Sequence, residues 1–475
     1  MRAPHNLGAQ CPSFAEMGVG MRNSAMRRAA AWLFGLALVG AGCGGADAPP
    51  AGGVDVDSTE IPAAVKAELD RASDGTMQDA IIKAWQARQQ EAAALQAQRS
   101  RGWQIVDTRR SRSGQVFDYV MAETLYPDSP KASFATPPPL PSVSTAAGAR
   151  PAMTELEADP ALKPPAGTIP VARLYLDPYV NGEVRARDLA EYMEIAWPKP
   201  SPAFVNNRLY GAHIDSDANT GTDGHINLWN YQEVASDEMS LLQSATLCRG
   251  STADAMEAIE VGFQKLQSKY GDTNVHLFTF FRTAGGATGD RVGGYNMDVQ
   301  GFIQAAGAPF SPGAGMNTST FSTIDGTQYE CQIETQLFQG NWWVLACGSW
   351  IGYYPTQNST VDAGSRIAFD LIGTSACEID WYGEIFDPTP TTWTNADMGS
   401  GRFASEAFGR AAYIREPFLL HAGADSTWFA SSVPATGNGY DPDCYSLSEI
   451  FANGGDGWGR WFYVGGPGGN NVGCN

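Results

Sequence analysis

Between Ala258 and Phe281 the chain alternates strictly. Ile259, Val261 and Phe263 fall on one side, and Glu260, Gly262 and Gln264 on the other. Gly271-Asp272 predicts a turn, and Val275 to Phe281, rich in β-branched and aromatic residues, predicts a second strand. Ile379 to Phe386 repeats the arrangement: Ile379, Trp381, Gly383 and Ile385 share one face, and Tyr382, Glu384 and Phe386 the other. From Ser240 to Tyr354, apolar runs recur roughly every ten residues between Gly, Asn and Asp, the pattern of an antiparallel sandwich. Each of the two glutamates stands beside a glycine, which predicts room for a ligand at its carboxylate. Glu384, between two aromatics, is partly desolvated, which favours its neutral form. Taken singly, each fits an ordinary solvated face; taken together they fit a general acid/base pair.

Upstream, Ile61 to Arg101 is rich in Ala, Gln and Glu, with apolar residues at Ile81, Ile82, Trp85 and Leu95, and predicts helix. Trp103 to Asp107 and Gln115 to Val120 flank a Ser-Arg-Ser-Gly turn and predict a hairpin. Residues 127–170 hold 11 of the chain's 29 prolines, so this segment is expected to be extended or disordered and to supply no sheet hydrogen bonds. The predicted fold is mainly β: an antiparallel, jelly-roll-like β-sandwich preceded by a small α+β module and a Pro-rich linker. Its divisions are a leader (1–43), the N-terminal module (44–126), the linker (127–170) and the catalytic-looking domain (171–475).

Composition narrows the partners. A formal net charge of −20 argues against nucleic acid or an anionic membrane surface as partner. Arg22, Arg27 and Arg28 precede an apolar stretch, Ala29 to Val39, too short to span a bilayer. The following V-G-A-G-C-G-G resembles a bacterial lipoprotein signal with Cys43 as the lipidated residue, although Gly40 stands where leucine is usual; an ordinary cleaved signal is the alternative. Either way the chain is expected to be exported, as a cell-envelope lipoprotein or a secreted protein. Beyond the leader six cysteines remain, Cys248, Cys331, Cys347, Cys377, Cys444 and Cys474, an even set that predicts disulfides. Cys331 and Cys347 are equidistant from Gln339, so a hairpin turning there sets them opposite each other. Asp215, Asp217 and Asn219 have calcium-loop spacing, but Gly221 falls one place late and Ile226 occupies the position of the closing glutamate. No metal or other cofactor is expected. D-T-G, H-E-x-x-H and G-x-S-x-G are absent, and none of the five histidines sits in a motif that would activate Ser or Cys.

Several segments also carry a family resemblance. I-E-V-G-F-Q, Y-G-D-T-N-V-H-L-F-T-F-F, G-Y-N-M-D-V-Q-G-F-I-Q, G-N-W-W, I-G-Y-Y-P, Y-G-E-I, M-G-S-G-R-F and F-Y-V-G-G-P-G-G-N resemble neprosin, a family of glutamic endopeptidases that cleave next to proline. The likeness runs in the family's order from about Gly167 to Asn475. It implies a polypeptide, proline-containing substrate and Glu260 and Glu384 as catalytic residues. It also implies that Tyr210-Gly211-Ala212 and Ile226 to Trp229 form the first hairpin, and that Cys444 bridges Cys474, which leaves Cys248 for Cys377. The N-terminal module then resembles the family's propeptide; a tether is the alternative. Gly294 and Val299 stand where plant members carry a cysteine pair, which predicts a looser loop beside the cleft. Gln264, on the face of Glu260, is a candidate oxyanion donor, and Tyr382 and Trp343 are candidate substrate contacts. Two carboxyl groups within one water of each other do not easily both ionise, so such a pair titrates as a unit and favours acid pH. A β-sandwich glycoside hydrolase using the same carboxylates, or a non-catalytic surface-binding module, are the alternative functions.

Overall fold

The computed structural model describes residues 61–126, 135–140, 150–184, 186–196, 208–251, 255–283, 292–361, 366–388, 393–422, 426–429, 434–436, 441–452 and 458–474. The stretch expected to be a signal, and Cys43, lie outside them. Two helices come first, Ala63–Arg71 (α1) and Gly75–Arg99 (α2), where the periodicity places them. Asp74 caps α2 by accepting the Met77 N–H at 2.9 Å. Ile105–Arg110 (β1) and Val116–Met121 (β2) then form the predicted hairpin.

The Pro-rich segment departs from expectation. Thr168–Ala172 (β3) pairs along β2, with Pro170 opposite Tyr119, so the end of the linker is a strand of a three-stranded sheet. The sheet tolerates a proline there because β3 is its edge strand. Just upstream, Thr154 and Glu157 form a reciprocal capping box, and Met153, Leu156 and Leu162 are buried in the main core with Phe117 and Tyr119. Apolar residues spaced among the prolines give this stretch a surface to bury, and that overrides its composition.

The rest is a sandwich of two larger antiparallel sheets. Among the described residues, the first runs in the order Pro434–Thr436 (β17), Arg208–Asp215 (β4), Glu378–Phe386 (β14), Met239–Arg249 (β6), Met256–Lys265 (β7), His276–Arg282 (β8) and Gly293–Tyr295 (β9). The second runs Ile303–Gln304 (β10), Ser349–Pro355 (β13), Asn341–Ala346 (β12), Glu330–Phe338 (β11), Gly221–Asn227 (β5), Ala412–Leu420 (β15), Arg460–Gly465 (β20) and Ser446–Leu447 (β18). Ser426–Trp428 (β16) joins β15, and Phe451–Ala452 (β19) joins β20. Insertion of β14 between β4 and β6 is a crossover of Greek-key type. The core between the sheets takes Ile259, Val261, Phe263, Trp381 and Ile385 from one side and Ile226, Ile333, Trp342, Val344 and Ile414 from the other. Among the described residues, hydrogen bonds cross it from Trp381 Nε1 to Thr222 Oγ1 at 3.0 Å, between Thr246 and Thr335 at 2.6 Å, and from the Tyr354 hydroxyl to Thr279 at 2.9 Å. They satisfy polar groups that would otherwise be buried without partners.

β4 and β5, expected as a hairpin, lie in opposite sheets. In the insert between them Asn219 Oδ1 accepts the Gly221 N–H, as Asx turns do, and Asn219 bridges Ala376. Three disulfides join Cys248 to Cys377, Cys331 to Cys347 and Cys444 to Cys474, with Cα separations of 4.9, 4.5 and 4.8 Å. The β11–β12 turn uses Gln339 and Gly340, both left-handed, so its centre falls half a residue beyond Gln339. Cys347, itself left-handed just past β12, supplies the offset.

Candidate active site

Strand alternation sorts the carboxylates of β7. Glu257 is on the core side, where its carboxylate accepts the backbone N–H groups of Asp370, Leu371 and Ile372 at 2.8, 2.7 and 3.0 Å. That is a structural anchor for a loop. Glu260 is on the opposite, outer face, among the second apolar cluster formed by Leu241, Ala245, Phe278, Phe280, Tyr295 and Tyr382.

Register defines three rows across that face. Glu260, Ala245 and Asp380 lie side by side on β7, β6 and β14; next come Gly262, Gln243 and Tyr382; then Gln264, Leu241 and Glu384, with His276 beyond Gln264 on β8. Glu260 and Glu384 therefore share a face but not a row. They stand two strands and four residues apart, about 16 Å at Cα from strand spacing and rise. The middle row bridges them. Gln243 Nε2 donates to Glu260 Oε2 at 3.0 Å and also to the Tyr382 hydroxyl. The face is closed in this structure: Glu260 is 1 % and Glu384 0 % exposed.

The two glycines do not leave open space. A Cβ on Gly262 would meet Leu242 O at 2.3 Å and Gln243 Cβ at 2.5 Å, and one on Gly383 would meet Met398 Sδ at 2.5 Å. Both are glycine because neighbouring chain comes too close for any side chain. Gln264 Nε2 donates to the Tyr270 hydroxyl at 2.6 Å, and its Oε1 is buried without a partner. His276 is structural: its ring bonds Gly313 O at 3.0 Å and Asp272 at 2.8 Å and stacks on Tyr270 at 3.8 Å.

Trp343 is not at this site. On β12, Trp342 points into the core and the next residue, Trp343, points to the outer face of the other sheet. There it packs on Tyr353 and Trp350, beside Val120, Tyr126 and Ile169 of the N-terminal region. Val299 fills the space over Gly294, where a Cβ would meet it at 2.7 Å, so the two positions still touch without a disulfide.

Three acidic residues carry no signal in the sequence pattern: Asp380, Asp223 and Glu334. Asp380 is raised well above its usual value by burial first, then by Glu378, while Arg249, 3.6 Å away, opposes the shift. Its place in the row of Glu260 follows from pairing between strands far apart in sequence. On the outer face of the second sheet, Asp223 and Glu334 lie directly opposite each other on β5 and β11. Burial, then the neighbouring charge, lifts Glu334 to about 9; burial also lifts Asp223, to about 7.

A two-sheet sandwich with a buried, carboxylate-bearing outer face can carry out proton transfer on water. Residues 236–467 match the family model Neprosin, a span that contains Glu260, Glu384 and the strands carrying them. This domain belongs to the neprosin family, and the chain is a glutamic-type peptidase. Among solved structures, the chain is similar to scytalidoglutamic peptidase with a peptide-based transition-state analogue (10% identity, 54% of this chain and 97% of that one, TM-score 0.23). It is also similar to SCP-B, an eqolisin-family peptidase in complex with the tripeptide Ala-Ile-His (9% identity, 54% and 96%, TM-score 0.22). Likenesses at that level carry nothing over to this chain.

Proposed function

We propose that the chain hydrolyses peptide bonds next to proline, with Glu260 and Glu384 as a general acid/base pair acting on water. The observation that supports this most is the shared face. Strand pairing brings two glutamates from distant parts of the sequence onto one desolvated surface with two amide side chains and a phenol. At their spacing the two carboxyl groups do not share a proton directly; the scissile amide and its water lie between them, over Gln243 and Tyr382. One carboxylate takes a proton from the attacking water, and the other, protonated, donates to the oxyanion or the leaving nitrogen. A carboxyl must stay protonated for the second role, which favours acid pH.

Since the face is closed, substrate reaches it only after a segment moves. We read the N-terminal region as a covering segment that is cut at the Pro-rich stretch, and the chain as an exported protein, lipid-anchored through Cys43 or free. The test is incubation of the purified chain with a proline-rich peptide and with a β-glucan, from acid to neutral pH, followed by mass spectrometry. Cuts beside proline at acid pH support the reading; cuts at unrelated residues, or in the glucan, refute it.

A further inference from the structure

Among the polar groups of the closed face, Gln243 has the most telling position. It is fully buried on β6, the strand between those that carry Glu260 and Glu384. Its Nε2 is committed in both directions, to Glu260 Oε2 at 3.0 Å and to the Tyr382 hydroxyl, and its Oε1 is buried without a partner. An amide N–H donated to a carboxylate oxygen favours the ionised carboxylate, because the bond is stronger to the charged acceptor. The other groups facing Glu260 act differently. Asp380, across Ala245 in the same row, opposes a second negative charge there, and Arg249, at the end of the intervening strand β6, is engaged by Glu378 at 2.8 Å and Asp380 at 3.6 Å. Tyr382 presents a phenol hydroxyl that accepts from Gln243, and Tyr354 lies on the core side of its sheet, where its hydroxyl donates to Thr279 at 2.9 Å. Gln243 carries no charge of its own, so its effect on Glu260 does not change across the acid range.

Resting on the acid/base reading above, we propose that Gln243 is a positioning residue that assigns the two roles: by donating to Glu260 it holds that carboxylate ionised as the general base, and leaves Glu384 to supply the proton. Tyr382 serves the same end one step out. Its hydroxyl accepts the second amide proton and keeps the Gln243 side chain from turning its Oε1 toward Glu260.

The test is the pH profile of kcat/KM for a proline-containing peptide, measured on the active form of the full chain and of Gln243→Met, which keeps the side-chain length and removes the donor. Losing a bond to a charged acceptor should raise the acid limb by about one pH unit. The alkaline limb should stay where it is, while the melting temperature falls, because Glu260 and the Tyr382 hydroxyl lose a buried partner. Tyr382→Phe should move the same limb in the same direction by less, and it carries the test if Gln243→Met fails to fold. A uniform loss of rate with both limbs unmoved overturns the proposal, as does a shift of the alkaline limb, which would give Glu260 the acid role. Glu260→Gln, assayed in parallel, separates the two levels. If it turns over normally, the acid/base pair itself is wrong and the assignment falls with it. If it is inactive while the limbs of Gln243→Met are unmoved, only the role of Gln243 falls.

Discussion

Replacing Glu334 by glutamine should make the fold less sensitive to alkali. Glu334 and Asp223 face each other on neighbouring strands, Glu334 is 3 % exposed, and its Oε2 has no partner. Gln332 Nε2 binds Asp223 at 2.9 Å and eases the shift of Asp223, but burial dominates. Both carboxyl groups therefore titrate higher in the folded chain, at about 9 and about 7, than in the unfolded one, near 4. A raised carboxyl costs nothing in acid, where it is protonated in both states. As pH rises through the unfolded value, the unfolded chain releases protons that the folded chain keeps, and stability falls until the folded value is passed. Between pH 5 and pH 7 Glu334 alone withholds close to one proton, so the loss is about 1.4 kcal/mol per pH unit, or about 2–3 kcal/mol over that interval. Glutamine has the same shape, stays neutral and can donate to Asp223, which lets Asp223 ionise at a more ordinary pH. Thermal unfolding of wild type and Glu334→Gln, followed at pH 4, 6 and 8, reads this directly. The two should melt together at pH 4, and the variant should melt several degrees higher at pH 8. Equal pH dependence in both proteins, or a variant less stable at pH 8, would refute the reasoning.

Two other outcomes follow from the same structure. Replacing Cys248 and Cys377 by serine opens a loop of 129 residues and should cost about 4–5 kcal/mol on the chain-entropy account, read as a lowered melting temperature without reductant. Acid treatment should cut the wild-type chain, but not Glu260→Gln, in the Pro-rich segment. The β2–β3 pairing and the burial of Phe117 and Tyr119 should then keep the two pieces together on a sizing column, the larger beginning upstream of Thr168. A fragment that begins after Ala172, or pieces that separate at once, would contradict this.

What the sequence made legible was local. β7, β8 and β14 were readable because each carries its own alternation, and the hairpin at Gln339 because its turn is short. Alternation also put Glu260 and Glu384 away from the apolar faces of their strands, which is where they lie. Pairing between distant strands was not readable. Nothing in Met239–Arg249 marks Gln243 as the residue between two glutamates, because Ser240, Ser244 and Thr246 of the same strand are equally buried polar residues and the pattern does not name its neighbours. For the same reason Asp223 and Glu334 gave no sign of meeting. Alternation showed that Trp342 and Trp343 point to opposite sides without showing which side was the core. Composition misled at Thr168–Ala172, where one edge position was enough to admit a proline to a sheet.

The central claim is that Glu260 and Glu384 carry out the chemistry together. The most direct measurement is the turnover of a proline-containing peptide at acid pH by Glu260→Gln and Glu384→Gln, each shown to melt as wild type does. An amide keeps the shape of the carboxyl group and cannot exchange its proton, so each variant should lose at least about a hundredfold in kcat. A folded variant of either glutamate that keeps more than a few per cent of the wild-type rate would remove that residue from the mechanism and contradict the account.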